Sequence, residues 1–137
     1  MSDTKTLYTA DVHVTGGRDG AARSSDGRLD VTLSTPGGSG RGTNPEQLFA
    51  AGWSACFQGA MGIAARAKGV TLSAGLAIDA QVELRQGDDG YSLAARLNVH
   101  VPGIDPAIAR QIIETAHRTC PYSKAIKGNI DAVVALV

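Results

Sequence analysis

The stretch that decides the fold runs from Asn44 to Gly69 and reads NPEQLFAAGWSACFQGAMGIAARAKG. Asn44 can cap a helix, Pro45 fits its first position, and Gln47 stands where a capping box closes. Gly69 supplies a C-terminal stop, so the spacing predicts a helix running to Lys68. From Gln47 to Ala65 there is no charged residue on any side, which predicts a helix buried nearly all round. The run is also broken by Gln47, Ser54, Gln58 and three glycines. A membrane span needs about 20 mostly apolar residues, so this reads as a core helix. It is a large apolar surface for so small a chain, and a partner chain is expected to help cover it.

Strand patterns flank this helix. Leu7 to Val14 is strand-like, with Val12 and Val14 alternating against Asp11 and His13. Turn signals follow at Gly16-Gly17, Gly20 and Asp26-Gly27, and Leu29, Val31 and Leu33 then alternate with polar residues. A hairpin or three-stranded meander is expected, then a loop from Thr35 to Asn44. Beyond the helix, Leu76 to Leu84 and Tyr91 to Val101 each present an apolar face, with a turn at Gly87 to Gly90. Asp105-Pro106 opens a second helix with Ile108, Ile112 and Ala116 on one stripe, and Pro121 ends it near Thr119 or Cys120. A short turn around Tyr122 to Ile126 leads to a last strand, Ile130 to Val137. The order predicts an α+β fold with antiparallel sheets, two main helices and no alternating βαβ units.

The chain has 137 residues and a mass of 14.1 kDa, one domain's worth spanning 1–137. Thirteen basic side chains balance thirteen acidic ones, which lacks the basic excess of a nucleic-acid binder. The N-terminus has no apolar signal-peptide core, and a cytoplasmic location without membrane attachment is expected. A reducing compartment disfavours a purely structural disulfide, so Cys56 and Cys120 call for another explanation.

Cys56 lies mid-helix among Gly52, Gly59 and Ala60, with Trp53 three residues earlier. Small neighbours leave room for a ligand or another element, although a packed core thiol fits the same pattern. Cys120 falls at the predicted end of the second helix, where the negative end of the dipole makes a thiolate unfavourable. Cys56 has no dipole help and needs a cation to ionise. Glu46, in the first helical turn, suits the dipole. Ten residues of straight helix put it about 15 Å from Cys56, beyond direct contact unless the helix breaks, for instance at Gly52. A long arginine could bridge the two. His117 and Cys120 stand three apart, a spacing a metal could use with Cys56, but no second Cys-x-x-Cys or His-x-x-His supports it. Cys56 with His117 as a thiol hydrolase pair has no local signature either. Gly37 to Thr43 lacks the Lys-Ser/Thr of a phosphate loop.

Gly42 to Phe57 resembles the first cysteine motif of the Ohr/OsmC family, and Ala116 to Ala125 resembles its second. Gly16-Gly17-Arg18-Asp19-Gly20 resembles the N-terminal arginine motif, and Lys127-Gly128-Asn129 the closing segment. The likeness spans nearly the whole chain in the same order and is nearest to the organic hydroperoxide resistance branch, Ohr. It implies an OsmC-like fold, an intertwined homodimer and a thiol-dependent peroxidase. Cys56 would be the peroxidatic cysteine and Cys120 the resolving one. Arg18 would hold the Cys56 thiolate and Glu46 would orient Arg18. The resemblance implies organic hydroperoxides as substrate and a dithiol reductant, such as dihydrolipoyl groups on lipoylated protein. It implies no metal, flavin or nicotinamide. Trp53, Phe57, Met61 and Tyr122 are the candidates for an apolar substrate wall, or else plain core. Trp53 stands where Ohr proteins often carry tyrosine, and Lys127 where arginine is usual. A dimeric ligand-binding or redox-sensing module on the same fold is the reading outside enzymology.

Overall fold

The computed structural model describes residues 3–137, which divide into two compact units between Pro45 and Glu46. The first unit is a three-stranded antiparallel sheet in the order β1 (Val12–Thr15), β2 (Ala21–Ser24), β3 (Asp30–Thr32). Its first connection is a tight 3-10 turn, Gly17–Asp19, entered through Gly16 at φ 72° and Gly17 at φ 59°. Only glycine takes two such left-handed steps cheaply. At Gly20 a side chain is excluded for another reason, because a Cβ there would collide with the Thr15 carbonyl. Asp19 then accepts both the backbone N–H and the hydroxyl of Thr35, at 3.0 and 2.9 Å, which ties this turn to the following loop. The meander agrees with the sequence reading. The first strand is shorter than expected: residues 7–11 are outside it, and Leu7 and Tyr8 are exposed. Their apolar side chains have no sheet neighbour to pair with, and alternation without a neighbour does not make a strand.

In the second unit, α1 (Pro45–Ala67) is one continuous helix, closed by Gly69 at φ 68° with Val70 N–H donating to the Ala65 carbonyl. A long hairpin follows, β4 (Ala77–Gly87) and β5 (Gly90–His100), paired antiparallel from Ala77–His100 to Gly87–Gly90. Asp105 accepts from Ile108 N–H and starts α2 (Pro106–Thr119). The turn expected around Tyr122 is a short helix, α3 (Pro121–Ile126), and β6 (Asp131–Leu136) completes a sheet of order β4-β5-β6. Here the structure corrects one expectation. β6 runs parallel to β5, so β5, the α2–α3 corner and β6 form a βαβ unit beside the antiparallel β4–β5 hairpin. A parallel partner needs a long crossover, which the two helices provide.

The core is built from Trp53, Phe57 and Met61 of α1, Leu97 and Val99 of β5, and Ile112 and Ala116 of α2, all fully buried. On α2, Ala109 takes the inward place expected of Ile108, which is part exposed. α1 would satisfy the length and apolarity of a membrane span, but its large side chains are packed into this core. Nor is α1 buried all round within the chain. Ala51, Ala55, Gly59 and Ile63 are exposed at every fourth position, Ile63 at 67%. One sheet and one helix cover only one side of a helical cylinder, and lack of charge does not create a second cover. Replacing fully buried Ile112 by Ala should cost about 2–5 kcal/mol through lost burial and the cavity left behind, measured as a lowered urea midpoint at unchanged slope.

Candidate active site: a cysteine pair at a helix corner

The two cysteines, 64 residues apart in sequence, meet in the second unit. Cys120 Sγ lies 3.4 Å from Cys56 Sγ, and both are free thiols. Cys56 sits mid-α1 and is part exposed, whereas Cys120 is fully buried behind it. The location of Cys120 modifies the dipole argument. Its residue ends α2 and also precedes α3, so one helix C-terminus and one helix N-terminus flank it. Pro121 forces this break, since it has no N–H to continue α2. Cys120 N–H still closes the last turn of α2 on the Ala116 carbonyl, and its own carbonyl accepts from Lys124 N–H.

Burial pushes the Cys56 thiol up, and the neighbouring Cys120 sulfur adds to this. The backbone N–H of Tyr122, in the first turn of α3, bonds the Cys56 sulfur and pulls the other way. Tyr122 is thus fixed twice to α1. Its ring also lies over Gly52, where a Cβ would stand 3.1 Å from the phenol oxygen. Phe49, which the sequence reading did not select, stacks between Trp53 and Tyr122, with centroids 5.8 and 6.4 Å away. Tyr122 is 42% exposed, while Trp53, Phe57 and Met61 have no exposed surface and belong to the core.

A second group was not legible as a site. Ser123 is buried, and its Oγ lies 3.0 Å from Trp53 Nε1 and 3.0 Å from His117 Nδ1. Its place after Pro-Tyr resembles ordinary helix-start polarity, so nothing local distinguishes it. His117 is therefore turned toward Ser123, with its ring tilted on Phe57 at 6.2 Å. Burial, and secondarily the positive charge of Lys127, push its pKa down. Among the described residues no three His, Cys, Asp or Glu side chains converge as metal ligands would. Of the remaining sequence candidates, Arg18 is in the 3-10 turn of the first unit. Glu46 is in the first turn of α1. Because α1 is unbroken, the roughly 15 Å between Glu46 and Cys56 stands and direct contact is ruled out.

Two neighbouring thiols, one facing outward and one inward, sit on a small α+β scaffold, an arrangement that suits thiol-redox chemistry. Residues 36–134 match the OsmC-like protein family. The chain is 47% identical to the organic hydroperoxide resistance protein of Xanthomonas axonopodis pv. citri (strain 306), covering 98% of both. It is 38% identical to organic hydroperoxide resistance protein OhrA of Bacillus subtilis (strain 168), covering 93% of this chain and 94% of that one. The crystal structure of OhrB of Bacillus subtilis superposes with a TM-score of 0.91 at 38% identity, covering 96% of this chain and 100% of that one. The chain belongs to the Ohr/OsmC family, on its Ohr branch.

The burial difference predicts an order of labelling. With reduced folded protein, iodoacetamide should modify Cys56 well before Cys120, and peptide mass spectrometry after a short pulse should find the label on Cys56.

Proposed function

We propose that this protein is a cysteine-based peroxidase that reduces organic hydroperoxides to alcohols. The observation that carries this reading is the 3.4 Å approach of a part-exposed to a fully buried sulfur. The Ohr-named relatives supply the substrate class. The Cys56 thiolate attacks the terminal oxygen of ROOH, the O–O bond breaks, and the alkoxide takes a proton from solvent and leaves as ROH. Cys56 is now a sulfenic acid. Cys120 attacks the Cys56 sulfur, the S–O bond breaks, and hydroxide leaves with the Cys120 proton as water. The burial order suits this second displacement, because the oxygen arrives on the outward side and Cys120 attacks from the inward side. The sulfurs need to close by only about 1.4 Å to reach a bond of about 2.05 Å. A dithiol, such as a dihydrolipoyl group on a lipoylated protein, then exchanges with the disulfide and restores both thiols.

Thiolate chemistry needs an offset to the burial that pushes Cys56 up. In this reading Arg18 supplies it, and Glu46 orients the guanidinium. Tyr122 forms the exposed side of an apolar substrate wall, and Trp53, Phe57 and Met61 back that wall from the core. The chain works as one Ohr/OsmC-like unit over 1–137, in the cytoplasm, as a homodimer whose second copy covers the open stripe Ala51, Ala55, Gly59 and Ile63.

The test is to oxidise reduced protein with cumene hydroperoxide and map the cysteines by non-reducing mass spectrometry. A Cys56–Cys120 disulfide is expected, formed faster than with hydrogen peroxide, and two unreactive thiols would sink the reading. Cys56→Ser should abolish turnover. Cys120→Ser should react once and then over-oxidise. Arg18→Ala removes a cation, so the Cys56 pKa rises and its alkylation profile moves to higher pH, by about 1–3 units if contact is direct. An unmoved profile would remove Arg18 from the site.

A further inference from the structure

We infer that Ser123 is a positioning residue for disulfide formation: its hydroxyl, bonded to Trp53 and to His117, sets the line along which Cys120 reaches Cys56. This rests on the peroxidase reading above and concerns its second step only.

The placement carries the argument. Trp53 lies three residues before Cys56, His117 three before Cys120, and Ser123 three after it. On α1 and α2 that spacing puts Trp53 and His117 about one helical turn from the sulfur each accompanies. The three members come from α1, α2 and α3, the elements whose mutual positions fix the sulfur separation. Ser123 is 2% exposed and Trp53 fully buried, so the bond between them is sheltered from solvent, whereas His117 joins it from the exposed side of α2. The chain has a direction. The indole N–H donates to Ser123 Oγ at 3.0 Å. The serine proton can then go to His117 Nδ1, also at 3.0 Å, whenever that ring is neutral with its proton on Nε2. A neutral ring fits its part-buried place against Phe57.

Removing the hydroxyl strands the buried indole N–H, and the α2–α3 corner loses one of its ties to α1 on the side that carries Cys120. Peroxide attack uses the outward side of Cys56, and this chain of bonds reaches the substrate wall only through Trp53, which backs it from the core and stays packed there without the hydroxyl. Condensation requires the inward sulfur to advance along one line, where a misplacement of about 1 Å can cost roughly a hundredfold in rate. While condensation lags, the sulfenic acid meets a second hydroperoxide, whose O–O bond breaks as the sulfur is oxidised to the sulfinic acid and the alcohol leaves.

The experiment compares the parent protein with Ser123→Ala, Ser123→Thr and His117→Phe. Circular dichroism checks that each is folded. Cumene hydroperoxide is mixed rapidly with reduced protein, and peroxide loss, dimedone-trapped sulfenic acid, disulfide and sulfinic acid are followed by quench and intact mass. For Ser123→Ala, first-turnover peroxide loss should stay within about 2-fold of the parent, while disulfide closure slows by about 10-fold or more. Sulfinic acid should accumulate under excess peroxide. His117→Phe should slow closure in the same way, and Ser123→Thr should restore most of it. Closure at the parent rate in a folded Ser123→Ala, or an equal slowing of both steps, would overturn the inference. Should Ser123→Ala fail to fold, His117→Phe decides by the same two criteria. If the parent itself forms no disulfide with cumene hydroperoxide, the peroxidase reading falls and this inference with it. If only the variants behave like the parent, the inference falls alone.

Discussion

A fully buried indole must find an acceptor for its N–H, because an unmade hydrogen bond in the core costs about 1–3 kcal/mol. Much of the second unit is arranged around that requirement. Trp53 is on the inward face of α1, and its acceptor, Ser123, comes from a six-residue helix 70 positions later in the chain. To deliver that hydroxyl, the chain must run through the β4–β5 hairpin, along α2, and turn at Pro121. The same turn brings Cys120 against Cys56 and places the Tyr122 N–H on the Cys56 sulfur. That polar bond and the contacts of Tyr122 and Cys120 together set α1 against the helix corner.

The site then balances two opposed demands. Disulfide chemistry favours sulfurs held close in a sheltered place, and Cys120 is completely sheltered. Thiolate chemistry favours charge stabilisation, and shelter works against it, as the upward push on Cys56 shows. Part exposure of Cys56 and one backbone N–H relieve some of that cost. The two thiols differ in access: Cys56 is open on its outward side, and Cys120 is held behind it.

Much of this was legible in the sequence because the signals were local. Asn44-Pro45 and Gly69 bracket α1, Asp105-Pro106 and Pro121 bracket α2, and Gly87 to Gly90 marks the hairpin turn. The cysteines were legible through their surroundings and a family likeness. The direction of β6 was not, since Ile130 to Val137 alternates identically whether it runs parallel or antiparallel. The open stripe on α1 was not legible, because an uncharged residue such as Ile63 declares its preference but not which neighbour satisfies it. Ser123 was missed because its importance lies in a partner 70 residues away, which no local pattern records.

The 64-residue separation of the two sulfurs has a thermodynamic consequence. A covalent link between them would close a loop of that size, and such a loop takes about 4 kcal/mol of freedom from the unfolded chain. The folded form barely changes, since the sulfurs are already neighbours. Oxidation state and resistance to unfolding would thereby be coupled: the linked form would be the more durable and the dithiol form the softer. Molecules so linked would gather in the sturdier form, and reduction of the link would return the more readily unfolded one.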